Sequence, residues 1–366
     1  MDNLAHSLVG AWMGEAGLKR TTPLATVTLV IGANLPDIDG VTVLGNADTS
    51  LLLRRGITHG VLALAVLPWM LAGAVMLGDK YLRRRRHPEK EPARFWPLLV
   101  LSYLSVLSHT LLDWMNNYGV RVLMPFDGRW FYGDTLFIID PWMWLLTGAA
   151  VVMVDARARW SIGGWLVLGV ATTGLVLATD LTPLPVKGLW LVGVGAIAWL
   201  RVRGIRSLRV ERVATVCGVT LLLYLVAMFA GSRLAERQVA EWLRQQGTEP
   251  ERVTAGPLPT NPFTRDVIAV LPGRYEFMEL NWLTGEPGRI RLSHPSLPRE
   301  APSPIVQAAL AAPQVRGFVN WLRFPLYRVE EQADGYRVVL QDVRYSRTRN
   351  GIGTAVVELD RQLRPR

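Results

Sequence analysis

Apolar residues occur along this chain in long runs, separated by short polar segments that are rich in arginine and lysine. A helix needs about 20 mostly apolar residues to cross the hydrocarbon core of a bilayer. The runs predict six membrane-spanning helices, at residues 57–78, 95–116, 137–155, 160–179, 186–200 and 212–231. Two shorter apolar helices are predicted before them, at 3–17 and at 24–35, and Pro36 ends the second.

The last part of the chain has the pattern of a soluble domain. A helix continues past the final span from Leu234 to Gln246, and a Pro-rich linker is predicted as far as Pro262. Alternating apolar and polar residues then predict strands, at 266–271, 275–282, 336–343 and 354–359. Turns are predicted at 333–335 and at Asn350-Gly351, and a helix at 303–323 that breaks near Pro313.

Composition supports a membrane protein and excludes a purely soluble enzyme or a disordered chain. Half of the residues are hydrophobic and 19% are charged, whereas soluble domains carry about 25% charged residues. The single cysteine, Cys217, excludes an intrachain disulfide. The net charge of +10 would suit nucleic acid, but the cations are concentrated between apolar runs, which is typical of cytoplasmic loops. No nucleic-acid partner is therefore predicted.

These basic segments predict the orientation of the chain. The connections around 19–20, 80–94, 157–159 and 201–212 hold sixteen lysines and arginines, and the opposite connections hold five. The first set is assigned to the cytoplasm by the positive-inside rule. The predicted fold is an all-α polytopic membrane helical bundle of about six spans and two short N-terminal helices, with a C-terminal extracytoplasmic α+β domain.

Ionisable side chains are few inside the predicted membrane segments, where burying them is costly and usually marks function. His109 and Asp113 lie four residues apart on one predicted helix, so both project from the same face. His59 lies at the start of span 57–78. The predicted topology places His59, His109 and Asp113 in one layer toward the outer ends of their helices. Three further candidates lie in the same layer, namely His6, Asp37 and Asp39.

This layer of imidazoles and carboxylates, without thiolate, suits a divalent cation, zinc first and otherwise manganese or iron. The first predicted ligand set is His59, His109, Asp113 and Asp39. Asp37 and His6 then serve a second metal or support the first, and which of the two aspartates binds directly stays open. The alternative is a buried His–Asp pair that links helices or relays protons.

The predicted outer loop 117–136 is rich in aromatic residues and glycine, and we expect it to cover a pocket above the metal layer. Arg121 or Arg129 is placed to clamp an anionic substrate. Asp134 or Asp140 is the candidate general base or orienting carboxylate. An interfacial aromatic belt would explain the aromatic residues of this loop equally well.

Taken together, these motifs resemble the membrane-bound metal-dependent hydrolase family, which includes a LexA-regulated bacterial inner-membrane protein. The resemblance covers roughly residues 1–150 and rests on His6 with Gly10, 34–39, 55–59, 108–113, 117–119 and 139–141. It implies a hydrolase of the bacterial inner membrane. The order His, Asp, His, His-x-x-x-Asp is also distantly similar to the zinc-dependent phospholipase C and single-strand-specific nuclease superfamily, which cleaves phosphoesters.

That distant similarity implies one zinc on His59, His109, Asp113 and one of Asp37 and Asp39, and a second on His6 that shares Asp113. The later histidines of the superfamily's third site are missing here.

The functional prediction is a metal-dependent hydrolase that cleaves a phosphoester of a lipid or lipid-linked substrate at the outer face of the inner membrane. Residues 1–156 form its metal-site domain, 157–232 add transmembrane helices, and 233–366 form the extracytoplasmic domain. Two alternatives remain, a metal-ion or proton-coupled transporter and a membrane-anchored periplasmic interaction protein. The sequence leaves the oligomeric state open.

Overall fold

The computed structural model describes residues 1–155, 159–180, 182–203, 210–286, 289–346 and 353–366. Arg157 and the predicted turn at Asn350-Gly351 lie outside the described residues. The first helices are α1 Asn3–Glu15, α2 Ala25–Gly32, α3 Ala47–Leu53, α4 Val61–Gly78, α5 Arg84–Arg86 and α6 Phe95–Trp114. The next are α7 Pro141–Asp155, α8 Arg159–Ala178, α9 Leu184–Val202 and α10 Val210–Gln245. A π-helical turn, Asp79–Arg83, joins α4 to α5, and 3-10 segments cover Leu35–Leu44 and Ile57–His59.

Five described helices are long and apolar enough to cross a membrane, in agreement with the prediction of a polytopic bundle. They are Val61–Arg86, Phe95–Trp114, Arg159–Ala178, Leu184–Val202 and Val210–Gln245. A sixth crossing results if α2 and the segment Leu35–Leu44, which are bent by 42° relative to each other, count as one span.

The predicted span 137–155 is shorter than expected. Its helix begins only at Pro141, and its apolar part ends at Met153. Asp140 explains the late start, because its Oδ1 accepts hydrogen bonds from the backbone N–H groups of Trp142 and Met143 and so caps the helix. Proline is well suited to the first helical position that follows such a cap.

α1 packs against α2 on one side and against α7 and α10 on another. Gly10 permits the close approach to α2, because a Cβ atom there would lie 2.7 Å from the carbonyl oxygen of Leu29. The buried apolar residues between α1, α6, α7 and α10 form one core that includes Ala5, Val9, Leu112, Met115, Met143, Leu221 and Met228. This core fixes the helix ends that carry the candidate ligands.

The C-terminal domain contains two antiparallel sheets. The first has the order β1-β2-β3-β4 and consists of β1 Arg252–Pro257, β2 Thr264–Leu271, β3 Arg274–Asn281 and β4 Ile290–Pro298. The second has the order β5-β6-β7 and consists of β5 Pro325–Gln332, β6 Gly335–Asp342 and β7 Thr354–Asp360. The continuation of α10 beyond the membrane packs on the first sheet through Ala235, Val239 and Leu243.

Four of these strands were predicted, and three were missed. β1 was assigned to the Pro-rich linker, and β4 and β5 had no predicted counterpart. All three lie at the edge of a sheet, where prolines and polar residues are tolerated because one side of the strand has no partner. Their sequences therefore lack the regular alternation of a central strand.

The predicted helix 303–323 is present, and it breaks at Pro313 as expected. It consists of α11 Pro304–Leu310, a 3-10 turn Pro313–Val315 and α12 Arg316–Trp321. Both helices pack on the second sheet through Val306, Ala309, Phe318 and Trp321. α12 also lies against α3, since a Cβ atom at Gly317 would be 2.2 Å from the carbonyl oxygen of Asp48.

Candidate metal centre

Four short pieces of chain bring the candidate ligands together. α1 supplies His6, the segment Leu35–Leu44 supplies Asp37 and Asp39, the turn Ile57–His59 ends on His59, and α6 presents the i, i+4 pair His109 and Asp113. The three histidines and Asp113 are fully buried. The structure thus brings together residues that are far apart in the chain.

Four donor atoms converge closely enough to hold one metal ion, namely one each from Asp37, His59, His109 and Asp113. Nε2 of His59 lies 3.0 Å from Nε2 of His109, 3.3 Å from Asp113 Oδ2 and 3.8 Å from Asp37 Oδ1. Nε2 of His109 lies 3.6 Å from Asp113 Oδ2 and 3.8 Å from Asp37 Oδ1. Ligands of a tetrahedral ion with bonds of about 2.0–2.1 Å are about 3.3 Å apart, so these spacings match such an ion.

In His59 and His109, the hydrogen-bond partner of Nδ1 determines that Nε2 faces the other donor atoms. Nδ1 of His109 lies 2.7 Å from the carbonyl oxygen of Ala33, which can only accept, so Nδ1 carries the proton. Nδ1 of His59 faces Asp39 Oδ2 at 3.3 Å. In the neutral form both histidines therefore direct an Nε2 lone pair toward the same place, an arrangement that suits a cation between them.

The carboxylates lead to the same conclusion. Asp37 Oδ1 is buried without a hydrogen-bond partner among the described residues, and Asp113 Oδ2 accepts no hydrogen bond although Arg55 Nε forms an ion pair with it at 3.0 Å. Buried acceptors without hydrogen bonds are costly, and here two of them face the two imidazoles. A proton can partly replace a metal ion at this point. Burial alone lowers the pKa of His59, but its hydrogen bonds to Asp113 and Asp39 outweigh that effect and raise the pKa.

The structure distinguishes the two aspartates that the sequence left open. Asp37 contributes to the four-atom group, and its other oxygen accepts a hydrogen bond from Asn3. Asp39 lies behind His59 instead, where its Oδ2 accepts hydrogen bonds from the Arg55 backbone N–H and the Thr58 hydroxyl. Placing Asp39 rather than Asp37 in the first ligand set was thus not the arrangement found.

His6 borders the cluster. Its ring stacks on that of His109 with centroids 3.9 Å apart, and its Nε2 lies 3.3 Å from Asp113 Oδ1. Burial and the neighbouring charge of His109 lower the pKa of His6 to about 3, which keeps the ring neutral at physiological pH. Its Nδ1 is buried and has no hydrogen-bond partner within the described ranges.

Arg55 is the site residue that sequence reasoning missed. Its Nη2 and Nε lie 3.0 Å from the two oxygens of Asp113, and its Nη1 donates to Asn116 and to the carbonyl oxygen of Gly119. The Met1 amino group also contacts Asp113. The signal was present, because Arg55 belongs to the 55–59 motif and was also counted as a loop charge, but no role at the site was assigned to it.

The three residues assigned to acid–base chemistry or substrate binding have other partners. Asp134 forms a two-pronged ion pair with Arg323 of the C-terminal domain at 2.8 Å. Asp140 accepts a hydrogen bond from the Tyr224 hydroxyl at 2.8 Å, and Arg129 is paired with Asp127. None of the three belongs to the four-atom group.

Arg121, the other candidate clamp, is buried against the carbonyl oxygens of Leu52 and Arg54. It stabilises the turn before His59 and is not free to reach an anionic ligand.

The fold and the site define a multi-pass membrane protein with a possible metal centre of His and Asp residues and a C-terminal α/β domain. The chain belongs to the YdjM inner membrane protein family, whose model matches residues 1–184. Residues 304–366 match the model of the YfhP C-terminal alpha/beta plait domain.

Among curated proteins, the chain is similar to the uncharacterized protein YfhP of Bacillus subtilis, with 26% identity over 174 residues. The matched region covers 45% of this chain and 47% of YfhP, so the chain spans about half the length of the curated relative. No solved structure matches the chain.

Proposed function

We propose that this protein is a membrane-bound metal-dependent hydrolase that cleaves a phosphoester of a lipid or lipid-linked substrate at the outer face of the inner membrane. The observation that carries the proposal is the convergence of four donor atoms from Asp37, His59, His109 and Asp113. Zinc is the first candidate for the cation, because two imidazoles and two carboxylates at this spacing suit tetrahedral coordination. Such a cation supplies polarisation of a phosphoryl oxygen and activation of water.

The protein's own residues orient the site. The Ala33 carbonyl oxygen and Asp39 hold the two imidazole rings through Nδ1. Arg55 is fixed beside Asp113 and offsets part of the negative charge that the carboxylates bring. Preorganised partners of this kind keep donor atoms in place before a ligand arrives.

A lipid substrate is favoured by the surroundings of Asp37. The segment Leu35–Leu44 exposes Ile38 and Val41 by 63% each and Leu44 by 85%. Large exposed apolar side chains beside a polar cluster are expected where the protein surface faces hydrocarbon. A substrate anchored in the bilayer could therefore reach Asp37 from the side.

The distribution of basic residues supports the outer location. His59 precedes α4, and the basic run Arg84–Arg86 follows it, so the cluster and the basic loop are attached to opposite ends of one long apolar helix. The positive-inside rule assigns the basic end to the cytoplasm. A reporter fused after Arg366 tests this assignment, since cytoplasmic reporter activity would contradict the orientation.

The function is tested with purified full-length protein by elemental analysis and by hydrolysis assays on phospholipids and lipid-linked phosphates. We expect stoichiometric metal and hydrolysis in the wild type, and loss of both in His109→Ala and Asp113→Ala. His294→Ala is the matched control, because His294 lies opposite Phe277 in the β3–β4 pairing, far along the chain from the cluster.

Two results would contradict the proposal in different ways. Stoichiometric metal without hydrolysis of any phosphoester would reject the hydrolase and favour metal-ion transport. Absence of metal from wild-type protein, even after incubation with zinc, manganese or iron, would reject the metal centre itself.

A further inference from the structure

A cavity of about 780 Å³ lies between α2 and α4, and Leu35 and Ile38 of the segment that carries Asp37 line its other end. We name it the α2–α4 groove. One wall consists of Leu24, which precedes α2, and of Val27 and Ile31 on α2, and the other of Leu67, Leu71 and Val75 on α4. Both walls are apolar along the length of the membrane helices.

The groove is open toward the side of the bundle. Val27 is 49% exposed, and Met70, which also lines the groove, is 62% exposed. Because α4 is a candidate membrane span, this opening faces the hydrocarbon of the bilayer. The cavity is thus shaped to receive an apolar chain from the membrane.

One end of the groove is basic. Arg83, Arg86 and His87 line it there. Arg83 is held in place by Asp79 and by the carbonyl oxygen of Glu91. Arg86 is exposed, and its side chain has no ion pair in the part of the chain that the structure describes. An anion at this end would therefore meet a free guanidinium beside a fixed one.

The length of the groove matches a phospholipid whose headgroup lies at the basic end. The apolar wall from Leu82 to Leu67 rises about 22 Å along the helix, more than half of the roughly 30 Å hydrocarbon core. A headgroup at the arginines therefore places its chains along the groove and toward the bilayer centre. Arginine binds phosphate oxygens in this position well, and basic residues at the membrane surface attract anionic lipids.

We propose that the α2–α4 groove binds one anionic phospholipid of the leaflet that the basic loop faces. Its phosphate lies between Arg83, Arg86 and His87, and its acyl chains lie between α2 and α4. This lipid is separate from the substrate of the proposed function, because its headgroup lies at the end of α4 opposite His59. The proposal holds whether or not the protein is a hydrolase.

The test measures lipid retention by native mass spectrometry of the full-length protein, prepared with equal amounts of phosphatidylglycerol and phosphatidylcholine and in the presence of a chelator. We expect one retained phosphatidylglycerol per chain. Arg86→Glu should reduce the preference for phosphatidylglycerol by at least about fivefold, the effect of one surface cation. Arg85→Glu, an exposed neighbour outside the groove lining, should leave the preference unchanged.

A second pair of variants tests the groove without altering charge. Ala74 lines the groove, so Ala74→Trp should fill it and displace the lipid, whereas Val66→Trp on the exposed surface outside the lining should retain it. Equal retention of both lipids by the wild type, or undiminished retention in Ala74→Trp, would overturn the proposal. The chelator removes metal, so lipid retention is measured in the absence of metal-dependent activity. Failure of the protein to retain the lipid is therefore distinguishable from failure of the proposed hydrolysis.

Discussion

Asp113 is the residue on which the cluster is centred. Its carboxylate faces Arg55 at 3.0 Å, His6 and His59 at 3.3 Å and His109 at 3.6 Å. A buried carboxylate is stable only when cations or donors surround it. Arg55 provides a permanent positive charge beside Asp113. The buried carboxylate is therefore already stabilised before a metal ion binds.

The two aspartates of the Asp37-Ile38-Asp39 sequence should respond differently to truncation. Asp37→Ala removes a donor atom from the four-atom group, whereas Asp39→Ala leaves all four donors and loosens the turn that holds His59. We expect Asp39→Ala to weaken metal affinity by about 10–100-fold, the usual effect of losing a supporting partner, and Asp37→Ala to weaken it more. Isothermal titration with zinc measures both, and a larger loss in Asp39→Ala would contradict the assignment.

Asp140 should make stability depend on pH. Burial raises its pKa to about 6, from an ordinary value of 3.8. The folded state therefore holds a proton that the unfolded state releases between about pH 4 and 6, and this contribution to stability is lost as the pH rises through that window.

Asp140→Asn keeps a side-chain oxygen that can cap α7 but removes the titration. Compared with the wild type, we expect this variant to gain stability progressively from about pH 4 to 6 and to show a constant difference above that range. Thermal unfolding in detergent at several pH values measures the difference. A difference that does not change with pH would show that Asp140 does not titrate in this window.

At the scale of elements, the close contact of α1 with α2 positions His6 relative to Asp37. Gly10→Ala should push the helices apart, because the added Cβ atom meets backbone that cannot move aside. We expect a loss of about 1–3 kcal/mol in stability, together with weaker metal binding.

Gly73→Ala is the control for this substitution. Gly73 is within α4 and has open space around it, and alanine favours a helix interior over glycine by about 1 kcal/mol. This variant should be unchanged or slightly more stable in the same thermal unfolding assay. Equal stability of the Gly10 and Gly73 variants would argue against tight packing at Gly10.

The sequence predicted all three central strands and one edge strand, β7, in which residues alternate between buried and less buried. β2, β3 and β6 have neighbours on both sides, and their buried and exposed residues alternate or are largely buried. The missed strands β1, β4 and β5 each pair on one side only. The backbone hydrogen bonds of these strands are formed with one neighbouring strand, and the sequence of the edge strand alone does not identify that neighbour.

At the scale of the whole molecule, the C-terminal domain is packed against the residues that surround the cluster. Trp321 donates a hydrogen bond to the carbonyl oxygen of Tyr118, and the Tyr118 ring lies 4.7 Å from the Arg55 guanidinium carbon. Arg344 donates to the carbonyl oxygen of Asn117. Loop 117–136 is thus held between the C-terminal domain and the candidate metal centre.

The Asp134–Arg323 ion pair should be the strongest single polar contact of this docking. Both side chains are largely buried, and removal of one partner from such a pair costs up to about 3–5 kcal/mol. Arg323→Ala should therefore increase hydrogen–deuterium exchange in loop 117–136 and in α12.

Arg337→Ala provides the comparison for this variant. Arg337 forms half-exposed pairs with Glu330 and Glu358, which are each worth about 0–1 kcal/mol. Exchange in loop 117–136 should stay at the wild-type level in this variant. Unchanged exchange in Arg323→Ala as well would mean that the ion pair does not hold the domain in place.

The sequence by itself determined five of the six predicted membrane helices, four of the seven described strands and the candidates from which the cluster is built. Those features depend on runs, alternation and i, i+4 spacing, which are properties of neighbouring positions in one chain. Tertiary structure alone decided that Asp37 faces the histidines, that Arg55 binds Asp113, and that Asp134 and Asp140 pair with residues 189 and 84 positions away. Such choices depend on how separate helices pack, and no local pattern encodes them.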